Sequence, residues 1–341
     1  MTKIVLAGLG AGAAAALLFA STATGAAVSM LLLCLSPLPV MIVALGWSHW
    51  AGLIAALAGS AALAGISPTF GLSFLILAGI PGWGLGYLAL LGRRADTAAP
   101  AAVNGSAAPP GGAAPGMEWY PPGRLLMWSA VFGAAAVALG LVLLEGDEAA
   151  LRADLRTLAE AFIHPPDIPG LPPMPPEMSE IDPDLVVTVL VRGVLPLFAV
   201  LAGFVSLVDL WLAGHVVRVS ERLLRPWPDL ATTTLPPLAA VLLGASFFAA
   251  FLLSGLAGIA ASLLATTLTT AFAVAGFAVL HFVTRGMRGR AWLLGGAYAA
   301  VSILGWPMLF MTLVGLADTL FGLRRHARRD PQPPDPSQPQ V

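Results

Sequence analysis

The chain has 341 residues, of which 58% are hydrophobic and only 10% charged, and its formal net charge is −1. An ordinary soluble domain is about 25% charged, and no water-soluble fold hides this much apolar surface, so the solvent for most of the chain is lipid. The charge balance offers no basic surface to nucleic acid, and the single cysteine, Cys34, lies in an apolar run and excludes an internal disulfide.

From Ile4 to Leu91 there is no Asp, Glu, Lys or Arg. A membrane span needs about 20 apolar residues, and four segments fit here, roughly 4–23, 28–46, 50–66 and 69–91. Lys3, the apolar run and Ser21-Thr22-Ala23 have the outline of a secretory signal. A further apolar segment from Val28 makes an uncleaved first span the simpler reading. The breaks are Gly25, the interfacial cluster Trp47-Ser48-His49-Trp50 and Ser67-Pro68. Residues 93–123 are dominated by Ala, Pro and Gly, cannot bury a core, and are expected to form a flexible cytoplasmic loop after the four-span segment 1–92. Trp119-Tyr120-Pro121-Pro122 then anchors a fifth span, 124–145.

Residues 146–184 differ in kind. Leu151, Leu155, Leu158 and Phe162 recur at helical spacing with charges between them, predicting an amphipathic surface helix. Asp147 and Glu148 stand where a helix N-terminus favours negative charge, and the prolines from Pro165 to Pro183 predict an extended, irregular cover. Spanning resumes in the segment 185–322, with apolar runs at 185–212, 236–255, 258–284 and 291–320. Residues 323–341 are basic, then Pro-rich, and are expected to be disordered.

With a cytoplasmic N-terminus, 14 of the 17 basic residues fall inside, and the acidic 146–184 loop falls outside. As one helix, 291–320 would be about 45 Å long and would strand the final arginines outside. A turn at Gly305-Trp306-Pro307 returns them, giving about ten spans, with nine as the alternative. The predicted fold class is an all-α, polytopic transmembrane bundle of the bacterial inner membrane, with the C-terminus cytoplasmic as well.

The start Lys3-Ile4-Val5-Leu6-Ala7 with Gly8, Gly10 and Gly12 imitates a dinucleotide-binding turn. The acid that would hold the ribose is missing, since Asp96 is the first acid in the chain. The same stretch reads better as a packing face. Ala7, Ala11 and Ala15 share one side of a helix beside Gly8, Gly12 and Ala16, and small residues four apart let helices approach closely in lipid. The face is either an intramolecular seam or a docking surface for a membrane-protein partner.

Gly79-Ile80-Pro81-Gly82-Trp83-Gly84-Leu85-Gly86-Tyr87 predicts a kinked or discontinuous helix, and Ser36-Pro37-Leu38-Pro39 a second break. In membranes such backbone is tolerated when buried in protein or lining a cavity, so Pro81, Gly82 and Gly84 mark either a pocket or a plain kink. Ionisable residues within spans are costly. Arg192 either snorkels to the outer interface or is functional, while Asp209 and Asp318 are expected to pair with nearby arginines at the inner interface. His281 is read as interfacial, with a proton relay as the alternative. Thr266, Thr267, Thr269 and Thr270 are expected to bond back to their own helix. No enzyme signature survives: the five histidines lack metal-ligand spacing, Lys3 is the only lysine, and there is no nucleophile elbow. No catalytic, cofactor or metal residue is assigned.

Leu224-Arg225-Pro226-Trp227-Pro228-Asp229-Leu230, Gly276-Phe277-Ala278-Val279-Leu280-His281 and Gly315-Leu316-Ala317-Asp318 follow in that order before the final arginine cluster. They resemble the YybS-like family of uncharacterised bacterial inner-membrane proteins, over most of residues 1–325. That family is regarded as distantly similar to the substrate-binding S components of energy-coupling-factor transporters, which carry an Ala-x-x-x-Ala docking face on their first helix. The resemblance implies such a face at Ala7, Ala11 and Ala15. The departures are the larger span number and the absence of any vitamin-binding set. The expectation is a substrate-binding, transport-related membrane subunit, with a non-catalytic envelope scaffold, docking through the first helix or the cytoplasmic arginine loops, as the alternative.

Overall fold

A computed structural model describes residues 1–94, 117–144, 146–163 and 181–324. The expected loop tip around Pro109-Pro110, most of the Pro-rich cover and the tail after Arg324 lie outside the described residues.

The fold is an all-α bundle, as lipid demands: with no water to satisfy backbone groups, each span must close its own hydrogen bonds. In chain order the helices are α1 (Thr2–Ala20), α2 (Ala27–Cys34), α3 (Leu38–Gly46), α4 (His49–Ala64), α5 (Pro68–Phe74), α6 (Ile80–Leu90), α7 (Pro122–Leu144), α8 (Glu148–Ile163), α9 (Pro183–Val189), α10 (Leu195–Val219), α11 (Pro237–Leu252), α12 (Gly255–Val283), α13 (Arg290–Leu304) and α14 (Pro307–Phe321). Six continuous or near-continuous stretches are long and apolar enough to cross a membrane: 2–24, 27–46, 68–90, 122–143, 183–219 and 255–283. Four apolar helices, α4, α11, α13 and α14, are shorter. Between α6 and α7, strands β1 (Gly92–Arg94) and β2 (Met117–Trp119) pair antiparallel, with Arg93 opposite Glu118.

Prolines punctuate the helices in a regular way. A proline's ring presses on the carbonyl four residues earlier and its nitrogen donates no bond. Before Pro81 and before Pro196 the helix widens into a π turn, over Leu75–Gly79 and Leu190–Val194 respectively, which relieves that clash without ending the span. The discontinuity expected across Gly79–Tyr87 therefore sits one turn earlier. Gly82, Gly84 and Gly86 lie in regular helix. The second expected break is where the sequence put it, with α2 ending at Cys34 and α3 beginning at Leu38. Gly305, at φ 71°, separates two fifteen-residue helices in place of one long one.

The core is continuous from one side of the bundle to the other. One cluster gathers Phe19, Val40, Ala55 and Phe74 from α1, α3, α4 and α5. A second joins Met41 and Leu85 to Leu125 and Val217, locking α3 and α6 onto α7 and α10. A third packs Leu126 and Ala239 against Phe272. The fourth places α8 across one end of the bundle, with Leu151 and Ala159 buried against Val187, Val191 and Leu263. The stripe expected on α8 is thus shifted: Leu151 and Leu155 pack inward, whereas Leu158 and Phe162 are exposed. Asp147 caps this helix by accepting from the Ala150 N–H at 2.8 Å.

The small-residue face of α1 is used inside the chain. Ala15 is fully buried, and Ala7 and Ala11 are half-buried against the first cluster. A Cβ on Gly12 would meet the Ala55 carbonyl oxygen at 2.6 Å, so backbone touches backbone and α4 occupies the seam. Ala7, Ala11 and Ala15 thus lie along an intramolecular seam, Ala15 buried in it and Ala7 and Ala11 at its half-exposed edge. Gly276 and Gly315 serve the same purpose where α12 meets α14.

Candidate functional site

The basic loops converge at one end of the bundle. Arg225, in the 220–229 connection after α10, donates from Nη1 to the Ala89 carbonyl and from Nη2 to the Tyr120 carbonyl, both at 3.2 Å. Its neighbour in the same connection, Asp229, accepts from Nη2 of Arg285, just beyond α12, at 2.7 and 2.8 Å. Arg324, beyond α14, donates to the carbonyls of Ala231 and Thr233 at 2.6 Å each and forms a buried ion pair with Asp318 at 2.7 Å. The guanidinium of Arg222 lies 4.3 Å over the Trp47 ring, and that of Arg218 lies 4.6 Å over Trp227. The ends of α3, α6, α10, α12 and α14 and the start of α7 are thereby drawn to one connecting segment.

Beneath that segment lies a cavity of about 500 Å³. Its walls come from α7 (Leu125, Leu126), α10 (Leu207, Leu210, Trp211) and α12 (Val274, Phe277, His281), and its roof from Leu223, Arg225, Trp227, Pro228 and Thr233. Pro226 and Pro228 flank Trp227 and hold the roof extended, because proline fixes φ and restricts the residue before it. Trp227 packs edge-on to Trp211 at 6.3 Å and to His215 at 5.9 Å. On the far wall Tyr298 of α13 stacks on Phe277, with ring centroids 4.6 Å apart and planes within 3°. Its hydroxyl shares a 3.0 Å hydrogen bond with Nε2 of His281.

The lining is almost wholly apolar, with three polar features. Arg225 is the only permanently charged one, no acidic residue faces it across the cavity, and among the described residues it makes no ion pair. Its Nε and the Oγ1 of Thr233, a residue 8% exposed, have no hydrogen-bond partner among the described residues. Burial pushes the Arg225 guanidinium below the ordinary arginine value, since a cation removed from water loses its hydration. The third feature is the His281–Tyr298 pair.

Of the candidate site residues named from the sequence, His281 alone lines this cavity, joined there by Arg225, Trp227, Pro228, Leu230, Phe277 and Ala278 from the motifs that carry the resemblance. Gly82 faces Pro37 and Val40, and Gly84 faces the Phe132 ring, in tight contacts. Pro81 is buried beside them. Arg192 is exposed within its π turn. Asp318 is taken up by Arg324. Asp209 departs from expectation: it is 1% exposed, makes no ion pair among the described residues, and leaves Oδ2 without a hydrogen-bond partner. Arg218, in the last turn of α10, and Arg222 and Arg225, beyond it, are engaged by Trp227, Trp47 and the Ala89 and Tyr120 carbonyls instead. Thr266, Thr267, Thr269 and Thr270 each donate to a carbonyl of their own helix. Sequence reasoning named Arg225 only within a motif and a basic loop, and missed Thr233 and Tyr298. The available signal was an arginine with no acid within three residues, set beside Pro226-Trp227-Pro228.

Among the described residues no group of His, Cys, Asp and Glu could hold a metal ion. No family model, curated protein or solved structure matches the chain.

Proposed function

We propose that this chain is a substrate-binding, transport-related membrane subunit, non-catalytic in itself, whose substrate rests in the cavity under the 220–233 segment. The observation that carries the reading is the cavity. At about 500 Å³ it falls within the roughly 300–1,000 Å³ of small-molecule sites, and it combines apolar walls with a few convergent polar groups as such sites do. The basic end is then the cytoplasmic face of the bacterial inner membrane, since short cytoplasmic loops hold the excess of arginine. An envelope scaffold would present its loop arginines to a partner, whereas Arg225 and Arg324 are spent on carbonyls and a carboxylate within the chain.

The test is to purify the tagged protein from its own membranes in mild detergent and identify its companions by mass spectrometry. An ATPase pair with a coupling membrane subunit is the expected result. Envelope-synthesis or division proteins without an ATPase would overturn the transport reading.

A further inference from the structure

We infer that the cavity takes a single-chain amphipathic anion, with the acidic head at Arg225 and Thr233 and the hydrocarbon chain between α7, α10 and α12. This rests on the cavity being a binding site, as proposed above, and adds the class of ligand.

The argument begins with charge. A buried cation without a counter-charge is costly, and proteins meet that cost with an acidic neighbour or with a ligand. Arg225 is half-buried, whereas the fully buried guanidinium at this end, Arg324, has its carboxylate in Asp318. Arg225 has two backbone carbonyls and, among the described residues, no carboxylate. Behind the roof surface, the Arg225 Nε–H and the Thr233 hydroxyl are closed off from solvent and have no hydrogen-bond partner among the described residues. An oxyanion supplies what both lack, and a guanidinium binds carboxylate or phosphate with directed bonds. A neutral head would leave the charge unmet.

The remaining walls decide what the anion is attached to. Leu125, Leu207, Leu210, Val274 and Phe277 offer no hydrogen bonds, so a sugar or a polyphosphate would bury polar groups there without partners. A hydrocarbon chain gains on the order of 0.8 kcal/mol per buried CH₂.

The experiment uses the purified full chain in neutral detergent and a bromine-labelled stearate, whose bromines quench tryptophan on contact. Trp211 and Trp227 line the cavity and report occupancy. The comparison probes are the methyl ester of the same acid and inorganic phosphate. The expected result is saturable quenching by the acid, with the ester binding at least about thirtyfold more weakly. Arg225→Gln should bring the acid down to the ester's affinity and leave the ester unchanged, while Arg225→Lys keeps much of the preference. Ala278→Phe, which fills the cavity and leaves Arg225 in place, should abolish the saturable phase. Equal binding of acid and ester by the unaltered chain overturns the inference without recourse to any variant. So does competition by phosphate alone, which would mark a site for a polar anion. Acid binding without a co-purifying ATPase would keep the ligand class and remove the transport role. An ATPase complex without acid preference would do the reverse.

Discussion

Two ion pairs at the basic end differ in what they are worth, and exposure decides which matters. Asp229 and Arg285 are about half exposed, at 50% and 46%, so water and salt screen them and the pair contributes about 0–1 kcal/mol. Asp318 and Arg324 are 3% and 8% exposed, and Arg324 also satisfies the carbonyls of Ala231 and Thr233. Removing Arg324 would strand a buried carboxylate and two acceptors, at about 3–5 kcal/mol. Arg324→Ala should therefore lower the thermal midpoint in detergent by many degrees while Arg285→Ala barely moves it. Equal shifts would show that burial is not what distinguishes the two pairs. Asp209 is the converse case, a carboxyl group buried in the bundle whose Oδ2 has no hydrogen-bond partner among the described residues. Such an oxygen costs about 1–3 kcal/mol, and nothing in the structure offsets it.

Among the elements, the apolar helices, the turn at Gly305 and the helix at 148–163 were legible, because each is written in local composition or periodicity, although only six stretches reach spanning length. The two π turns were half legible. Pro81 and Pro196 announce a fault, but whether a proline ends, kinks or widens a helix depends on what packs against it. Facing partners were not legible at all. Gly82 and Gly84 left a pocket and a plain kink both open because glycine runs are permissive, and which helix fills the space they leave is a property of the bundle. A Cβ on Gly82 would stand 3.2 Å from the Pro37 carbonyl oxygen and from Val40, both held by the broken start of α3. Gly82→Leu should thus cost about 1–3 kcal/mol or more through overpacking. The Cβ of Gly84→Ala would meet only the Phe132 ring, at 2.7 Å, which is able to turn aside. The check is a melt of each variant alongside stearate quenching. Unchanged stability for Gly82→Leu, with ligand binding lost, would restore the pocket reading there. The candidate site escaped the sequence for the same reason. Arg225, Phe277 and Tyr298 belong to a loop and two helices that nothing in their local patterns brings together.

At the level of the whole molecule, the chain is organised as two tied ends around an apolar middle. One end is drawn together by arginines reaching for carbonyls and rings across α3, α6, α7, α12 and α14. The other is covered by α8, where Arg156 bridges to Asp184 at 3.0 Å and so fastens the amphipathic helix to the entry of the long span. The connection from α6 to α7 belongs to the basic end, where Arg225 reaches the Tyr120 carbonyl, and the ribbon of Gly92–Arg94 and Met117–Trp119 brings its two stems side by side. Whatever joins Arg94 to Met117 is thus not needed to hold α6 beside α7, a task done by packing in the second cluster. The gene could be cut there. Residues 1–94 and 117–341, made as separate polypeptides in one cell, should find each other in the membrane and co-purify as a two-piece protein. Failure of the halves to associate would mean that their covalent link, and not their shared core, makes this one molecule.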